Sequence, residues 1–188
     1  MLNSGSYTLT ATFTPDDTEN YAVAQKSVSL TVNKAPLTIT AQNASRNYGE
    51  ANPSFSVSYS GFVNGEDESV LNGSLSITTS ADSNSPAGSY PIVASGLTSN
   101  NYEISFINGT LTINKVPLTI TAHNASRDYG AANPSFSVSY SGFVNSEDES
   151  ALGGSLQFSS ASIESPAGEH PIVPSGLTSN NYEIGFVN

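Results

Sequence analysis

Basic residues, sulfur-containing residues and long apolar runs are scarce or missing in this chain of 188 residues. It contains no cysteine and no tryptophan, and its one methionine stands at position 1. Without cysteine there is no disulfide, no thiolate nucleophile and no cysteine-bound metal. Lys and Arg together number 5 against 16 Asp and Glu, a formal net charge of −11. A phosphate backbone repels such a chain, so we expect no nucleic-acid partner.

The apolar residues do not point to a membrane protein. No run approaches the roughly 20 apolar residues of a membrane-spanning helix, and no basic patch would draw the chain to anionic lipid. We therefore expect no membrane insertion. The first five residues, 1–5, lack the basic and apolar regions of a signal peptide. We expect that a signal lies upstream or that the sequence belongs to a longer polypeptide. The lack of cysteine is typical of an exported bacterial protein.

An internal repeat organises the sequence. The stretch 52–64 recurs without change at 133–145, and 95–104 recurs at 175–184. We predict three segments. Residues 1–34 are the closing hairpin of an upstream repeat or a donor-strand segment, 35–115 are a full repeat, and 116–188 are a second repeat without the counterpart of its last strand.

Apolar residues alternate with Ser or Thr through most of each repeat, as in Leu37-Thr38-Ile39-Thr40. A period of two predicts strands with one buried face. Asn108-Gly109 between two such runs predicts a hairpin with a primed turn. The run 64–73 breaks the alternation and predicts a short helix, with Asn64 as its cap and Gly73 at its end. The fold class is therefore mostly β, with one short helix in each β-grasp-like repeat. The alternative is an Ig-like β-sandwich.

The acidic runs are the best candidates for a metal site. They comprise Glu66, Asp67, Glu68, Glu147, Asp148 and Glu149. Their oxygen atoms would suit Ca²⁺, but the alternating pattern of a calcium loop is absent. Acidic residues in the first turn of a helix explain the same runs without a metal, because the helix dipole favours them there. We therefore expect no cofactor, with Ca²⁺ as the remaining alternative.

No pattern indicates a catalytic site. His123 and His170 have Gln42 and Tyr90 as their counterparts, and nothing around them repeats as a ligand or relay would. The serines lack a nucleophile elbow. We expect that the protein is not an enzyme. Arg46 is predicted to have a structural role, either pairing with a carboxylate such as that of Glu103 or bracing a loop through carbonyl groups.

Further residue pairs recur between the two repeats. Arg127 matches Arg46, with Glu183 as its carboxylate candidate. Tyr48, Tyr102, Tyr129 and Tyr182 would form either a surface for carbohydrate stacking or the core of thin β units.

The order of motifs resembles a known family. Pro-Leu-Thr-Ile-Thr-Ala from Pro36, Tyr48-Gly49, and Asn-Tyr-Glu-Ile from Asn101 stand in the order of the MBG-type repeat of bacterial cell-surface proteins. The Tyr-Gly pairs suit its YGX variety. The N-terminal stretch 7–21 resembles the closing hairpin of a bacterial Ig-like surface repeat. The resemblance implies an extracellular stalk or spacer module of an adhesin, and it implies no catalytic residues.

The predicted gap in the second repeat suggests self-assembly. We expect that one molecule's N-terminal strand, with Val28, Leu30 and Val32, adds to the next molecule's C-terminal unit at Ile184 and Phe186. Repeated head to tail, this contact gives a filament. The competing explanation is that the boundaries of the sequence are arbitrary. The alternative function is an adhesin domain that binds a glycan or a host protein.

Overall fold

The computed structural model describes residues 2–188 and consists mainly of β-strands, which confirms the mostly-β prediction. The strands described are β1 (Gly5–Phe13), β2 (Ala24–Val32), β3 (Ala35–Ala41), β4 (Ala44–Asn47), β5 (Val57–Ser60), β6 (Asn72–Thr79), β7 (Gly88–Thr98), β8 (Tyr102–Ile107), β9 (Gly109–Asn114), β10 (Val116–Ala122), β11 (Val138–Ser141), β12 (Gly153–Ser159), β13 (Val173–Thr178) and β14 (Tyr182–Val187). Two 3-10 turns, Glu68–Val70 and Glu149–Ala151, are the helical elements in this range.

The strands form five sheets within residues 2–188. β1 and β2 make an antiparallel pair. The first full repeat has one sheet of order β5-β3-β8 and another of order β4-β9-β7-β6. The second repeat has sheets of order β11-β10-β14 and β12-β13. In both repeats the first strand lies between an antiparallel and a parallel neighbour, with the same register: Ile39 pairs with Tyr59 and Phe106, and Ile120 with Tyr140 and Phe186.

The chain divides into two compact units. The first unit contains residues 2–42, 55–78 and 92–109. Its core is Leu37, Ile39 and Tyr102, which are at most 2% exposed. Leu97 on β7 packs against this cluster. Burial of Leu37 and Ile39, with Thr38 and Thr40 less buried, follows from the alternation of side chains along a strand.

The second unit contains residues 43–54, 79–91 and 110–188. It therefore holds the whole second repeat together with parts of the first. Its most buried side chains are Leu111, Leu118, Ile120, Pro174 and Tyr182. Strand β9, which closes the first repeat, contributes Leu111 and Ile113 to this unit and pairs in parallel with β4.

The predicted short helix over residues 64–73 is wrong. Asn64 and Gly65 have φ angles of 61° and 75°, in the left-handed region, which interrupts a right-handed helix. One 3-10 turn, Glu68–Val70, is all that forms, and Asp67 caps it by accepting the Ser69 N–H at 2.9 Å. A β-grasp sheet needs a helix across one face, so the structure does not support that arrangement. The Ig-like sandwich stays a prediction.

The predicted hairpin at Asn108-Gly109 is also wrong. β8 pairs with β3, whereas β9 belongs to the other sheet, so the chain crosses from sheet to sheet at this point. Gly109 is needed for close packing instead of a primed turn. A Cβ atom there would lie 2.6 Å from the Ala41 carbonyl oxygen and 2.7 Å from that of Gln42.

Candidate functional site

The acidic residues predicted as metal ligands are occupied by contacts within the protein. In the first repeat, Glu66 accepts a hydrogen bond from the Tyr102 hydroxyl at 2.5 Å. Asp67 caps the 3-10 turn that contains Glu68. Hydrogen bonds from Ser69 lower the pKa of the Asp67 carboxyl. Within residues 2–188 no three acidic or histidine side chains converge as a metal site would require. The Ca²⁺ alternative stays a prediction.

The second repeat arranges its acidic run in the same way. Glu147 accepts the Tyr182 hydroxyl at 2.5 Å. Asp148 caps the turn that contains Glu149 by accepting the Ser150 N–H at 2.9 Å. Hydrogen bonds from Ser150 lower the pKa of Asp148. The spacing of the run therefore serves a tyrosine contact and a cap in both copies.

Tyr102 and Tyr182 link the loop before each 3-10 turn to the strand that begins with the tyrosine. The Tyr182 oxygen accepts the Val144 N–H at 3.1 Å while its hydroxyl donates to Glu147. Tyr102 makes the same contacts with Val63 and Glu66. Burial and the Glu147 carboxylate raise the pKa of Tyr182 to about 12. The hydrogen bond to Glu66 likewise raises the pKa of Tyr102.

A second tyrosine reaches Glu147 within the second unit. Tyr48 is 5% exposed, and its hydroxyl donates to Glu147 Oε1 at 2.5 Å. Its ring meets that of Tyr182 edge to face, with centroids 5.9 Å apart. The hydrogen bond to Glu147, followed by burial, raises the pKa of Tyr48. We call Tyr48, Glu147 and Tyr182 the tyrosine–glutamate cluster. One carboxylate, an acceptor only, is satisfied by two phenol donors.

The turn that carries Tyr48 is shaped to lie close to the second repeat's loop. Gly49 has φ of 85°, and a Cβ atom there would lie 2.9 Å from Val144 Cγ2. The counterparts Tyr129 and Gly130 lie in open surroundings. Tyr129 is 73% exposed, and a Cβ atom on Gly130 would meet nothing within 4 Å. The same Tyr-Gly sequence is thus buried in one copy and exposed in the other.

The two arginines brace loops through oxygen atoms of neutral groups. Arg46 is 5% exposed and donates to Asn52 Oδ1 at 2.8 Å, to the Asn47 carbonyl at 3.0 Å and to the Asp82 carbonyl. Arg127 makes the corresponding bonds to Asn133 Oδ1 at 2.7 Å and to the carbonyls of Asp128 and Ser162. The loop-bracing prediction is confirmed. The predicted pairing with Glu103 or Glu183 is wrong, because each guanidinium group donates to an asparagine side chain and to two carbonyl groups instead.

One of the two histidines, His170, makes the same contact as the residue that it replaces. His170 bonds the Pro166 carbonyl through Nε2 at 2.9 Å, as the Tyr90 hydroxyl bonds the Pro86 carbonyl. His123 Nδ1 lies 3.1 Å from Ser137 Oγ. Neither contact resembles a catalytic relay.

The residues predicted for self-assembly lie on strands at sheet edges. Val28 and Leu30 on β2 are 59% and 38% exposed, and β2 pairs with β1 through all nine of its residues. Val32 is half-buried. Ile184 and Phe186 lie half-buried on β14, the last strand of its sheet, with Leu118 and Ile120 as their neighbours on β10.

A groove of about 830 Å³ opens within the second repeat. Its lining includes Asn124, Ala125, Arg127, Phe136, His170 and Ile172. We call it the second-repeat groove. Ala44 and Arg46, the counterparts of Ala125 and Arg127, pair with Leu111 and Ile113 of β9, which are 0% and 2% exposed.

These features define a protein of tandem β-sheet repeats with a duplicated tyrosine–glutamate contact. A family model described as MBG domain (YGX type) matches residues 37–112 and again 118–188. The chain therefore belongs to the MBG domain family of the YGX type, in two tandem copies, as its motifs indicated. No match was found among curated proteins or among solved structures. No helix among the described residues is long and apolar enough to cross a membrane.

Sequence reasoning missed the partners of the acidic residues. Glu66 and Tyr102 recur together as Glu147 and Tyr182, and this joint recurrence was the available signal. It also missed Asn52 and Asn133. Each accepts from an arginine and donates its Nδ2 to a loop carbonyl, that of Ala81 or of Ala161.

Proposed function

We propose that this chain is a structural repeat module of an extracellular bacterial fibre or adhesin stalk. MBG domains are typical of cell-surface proteins, and two copies in tandem suit a spacer. Hydroxyl-bearing side chains cover the wet faces of the strands, and the charge of −11 keeps such a surface soluble. The carboxylates of Glu66 and Glu147 are engaged in hydrogen bonds with Tyr102 and Tyr182.

One observation carries the mechanical part of this proposal. Each of two parallel ladders joins a strand from the front of the first repeat to a strand from its back. β3 pairs with β8, and β4 pairs with β9. When the two ends of a repeat are pulled apart, parallel strands are loaded from opposite ends. The force then runs along the ladder and loads its hydrogen bonds together.

Single-molecule force spectroscopy tests this reading, and the absence of native cysteine allows handles to be placed freely. Cysteines at positions 34 and 115 pull the repeat from its ends. Cysteines at 47 and 114 pull β4 and β9 from the same end, because Asn47 pairs with Asn114. We expect a higher unfolding force for the 34/115 pair. Equal forces would contradict a load-bearing role. Protease treatment of intact source cells tests the proposed surface location.

The finer form of the proposal is end-to-end assembly by strand addition. β2 offers exposed Val28 and Leu30 at a free edge, and β14 offers Ile184 and Phe186 at another. An edge strand presents unpaired backbone groups that a second chain can pair. Contact between two different edges does not close on itself and therefore extends into a filament.

Light scattering coupled to size exclusion, together with negative-stain microscopy, tests assembly. We expect oligomers whose size grows with protein concentration. The double variant V28K/L30K should not form these oligomers. The control S29K/T31K adds the same charges to the other face of β2. Phe186→Lys should impair assembly more than Phe106→Lys, its counterpart on β8. A monomer at every concentration would contradict assembly and leave the spacer role standing.

A second candidate function is binding of a glycan or a host protein. The observation that favours it is the difference between the copies: Tyr129 is 73% exposed beside the second-repeat groove, whereas Tyr48 is 5% exposed. Exposed aromatic rings stack on sugars. A glycan array with the wild type and Tyr129→Ala is the test. Signals that Tyr129→Ala abolishes would support this candidate, and no signal above background would contradict glycan binding.

A further inference from the structure

The loop that precedes β8 holds the linker at the start of the first repeat. It contains residues 99–101, all in the first unit. Lys34 donates to the Ser99 carbonyl at 2.8 Å. The Ala35 N–H donates to the Asn101 carbonyl at 2.9 Å. The chain that leaves β2 is therefore fastened to this loop.

The loop that precedes β14 makes the same contacts in the second unit. It contains residues 179–181. Lys115 donates to the Ser179 carbonyl at 2.9 Å. The Val116 N–H donates to the Asn181 carbonyl at 3.0 Å. We call each of these two loops a joint loop, because each holds the linker that leads into its own repeat.

Each joint loop has a second attachment, made by its asparagine side chain. Asn101 Oδ1 accepts the N–H of Ser4, which stands just before β1, at 3.0 Å. Asn181 Oδ1 accepts the N–H of Ala87, which stands just before β7, at 3.1 Å. A linker alone leaves two modules free to move against each other, which is the usual behaviour of small interfaces. A second attachment beside the linker restrains that movement.

The segments that donate these N–H groups share one conformation. We call residues 3–7 and 86–90 the docking turns. In both, the fifth residue is tyrosine, and its hydroxyl donates to the carbonyl of the first residue, at 2.8 Å and 2.9 Å. The third residue is glycine and lies against the tyrosine ring, because a Cβ atom on Gly5 would be 4.0 Å from Tyr7 Cε2. The docking turns are therefore braced internally, which lowers the entropic cost of docking.

The asparagine binds the main chain of the docking turn. The donor residue is serine in one turn and alanine in the other, so its side chain is not what the two turns share. A backbone N–H is present in every residue except proline. The joint loop can therefore hold docking turns of different sequence.

We propose that Asn101 and Asn181 are joint residues, each of which holds the docking turn of the preceding module against its own repeat. The partner is a β-module of the same chain that opens a strand with a docking turn of the Gly-Ser-Tyr kind. The inference deepens the proposed spacer role, and it rests on that role for its purpose, because a spacer must resist bending.

Spin-label distances on the full chain test the joint in the first unit. The chain has no native cysteine, so labels can be placed at Thr12 on β1 and Ser60 on β5, both exposed. We expect one narrow distance distribution in double electron–electron resonance, because the joint loop holds the hairpin of β1 and β2 at two points. Asn101→Ala should broaden this distribution, since only the linker attachment remains.

Matched variants distinguish the joint from general loosening. Asn100→Ala changes the exposed neighbour and should keep the distribution narrow. Ser4→Ala should also keep it narrow, because alanine is the donor residue of the second docking turn. Ser4→Pro removes the N–H and should broaden the distribution as Asn101→Ala does. Combining Ser4→Pro with Asn101→Ala should add no further broadening, because both changes remove the same hydrogen bond.

Amide hydrogen exchange tests the joint in the second unit. In Asn181→Ala the Ala87 amide should exchange about threefold to tenfold faster, as expected for the loss of one hydrogen bond. Asn180→Ala, a change at an exposed neighbour, should leave this rate unchanged. The Asn181 side chain also contacts Tyr48, so Tyr48→Phe is a second control and should change the rate less than Asn181→Ala does.

Three results would overturn the proposal. One is a distribution that stays narrow in Asn101→Ala, and another is equal broadening in Asn100→Ala. The third is equal broadening by Ser4→Ala and Ser4→Pro, which would show that the side chain is bound instead of the main chain. Circular dichroism checks that every variant keeps its β-sheet spectrum. Equal unfolding forces in the pulling experiment, together with broadening in Asn101→Ala, would remove the load-bearing role and leave the joint standing.

Discussion

Tyr48 and Tyr182 donate their hydroxyls to the two oxygens of the Glu147 carboxylate, each at 2.5 Å, and their rings meet edge to face at an interplanar angle of 83°. Tyr48 comes from the first repeat and the other two residues from the second. All three belong to one compact unit. Substitutions in this cluster therefore measure how much its hydrogen bonds contribute to the free energy of unfolding.

Removing the Tyr48 hydroxyl should destabilise the second unit. A hydrogen bond to a charged group is worth about 1.5 to 3 kcal/mol, so we expect Tyr48→Phe to lower the free energy of unfolding by that order. Tyr129→Phe is the matched control, because this ring is 73% exposed and should change the value by less than about 0.5 kcal/mol. Urea unfolding followed by circular dichroism measures both. Equal losses in the two variants would show that the Glu147 contact does not stabilise the protein.

Alkaline pH should destabilise the protein through Tyr182. The pKa of this group is raised from 10.0 to about 12 in the folded state, by burial first and then by Glu147. The native state therefore favours the protonated phenol. Its contribution is fully present below pH 10 and is lost as the pH rises from about 10 through about 12.

Unfolding free energies measured across this alkaline range provide the test. Tyr182→Phe should reduce the pH dependence, with the part that Tyr48 and Tyr102 contribute remaining. Tyr21→Phe, a change at an exposed ring, should leave it intact. The assignment fails if Tyr182→Phe retains the full wild-type slope.

The same arginine should matter more in the first repeat than in the second. Arg46→Ala leaves buried oxygen acceptors without a donor, and we expect a loss of about 2 to 4 kcal/mol. Arg127 makes the same bonds but is only half-buried, so Arg127→Ala should cost about half as much, because water can replace the lost donors. Thermal and urea unfolding of the two variants measure the difference. A greater loss for Arg127→Ala would contradict the burial argument.

Alanine substitutions at Gly49 and Gly130 distinguish the cost of backbone strain from the cost of overpacking. Both have a left-handed φ, 85° and 81°, so alanine at either position should cost about 1 kcal/mol. At Gly49 the new Cβ also meets Val144 at 2.9 Å, which should add about 1 to 3 kcal/mol. The difference in unfolding free energy between Gly49→Ala and Gly130→Ala isolates the packing contribution. Equal unfolding free energies for the two variants would mean that the loop containing Val144 moves to accommodate the new Cβ atom at no cost.

The sequence was sufficient to predict the repeat and most strands. Burial of Leu37 and Ile39 beside less buried Thr38 follows from alternation alone, because one face of a strand must find a core. A structural role for Arg46 was also predicted, with bracing through carbonyl groups and pairing with a carboxylate as the two alternatives, and the structure shows the first.

Strand order was not predictable in the same way. Alternation at Leu111 and Ile113 is equally suited to a hairpin with β8 and to a parallel pair with β4, and a glycine suits both a turn and a close approach. Only the close approach of Gly109 to the Ala41 carbonyl distinguishes the hairpin from the parallel pair, and these two residues lie far apart in the sequence. The helix prediction was wrong for a local reason, because Asn64 and Gly65 both adopt a left-handed φ. Asn and Gly favour this conformation, but Asn64 was interpreted as a helix cap.

The parallel pairing of β4 with β9 also sets when a repeat can finish folding. The first of these strands is made early and the second is the last segment of the repeat, so nearly the whole repeat must be present before they meet. Closing so long a loop costs conformational entropy before the stabilising contacts form, and this cost slows folding. The first repeat should therefore remain open during synthesis and close in a late step, when β9 with its leading glycine is made.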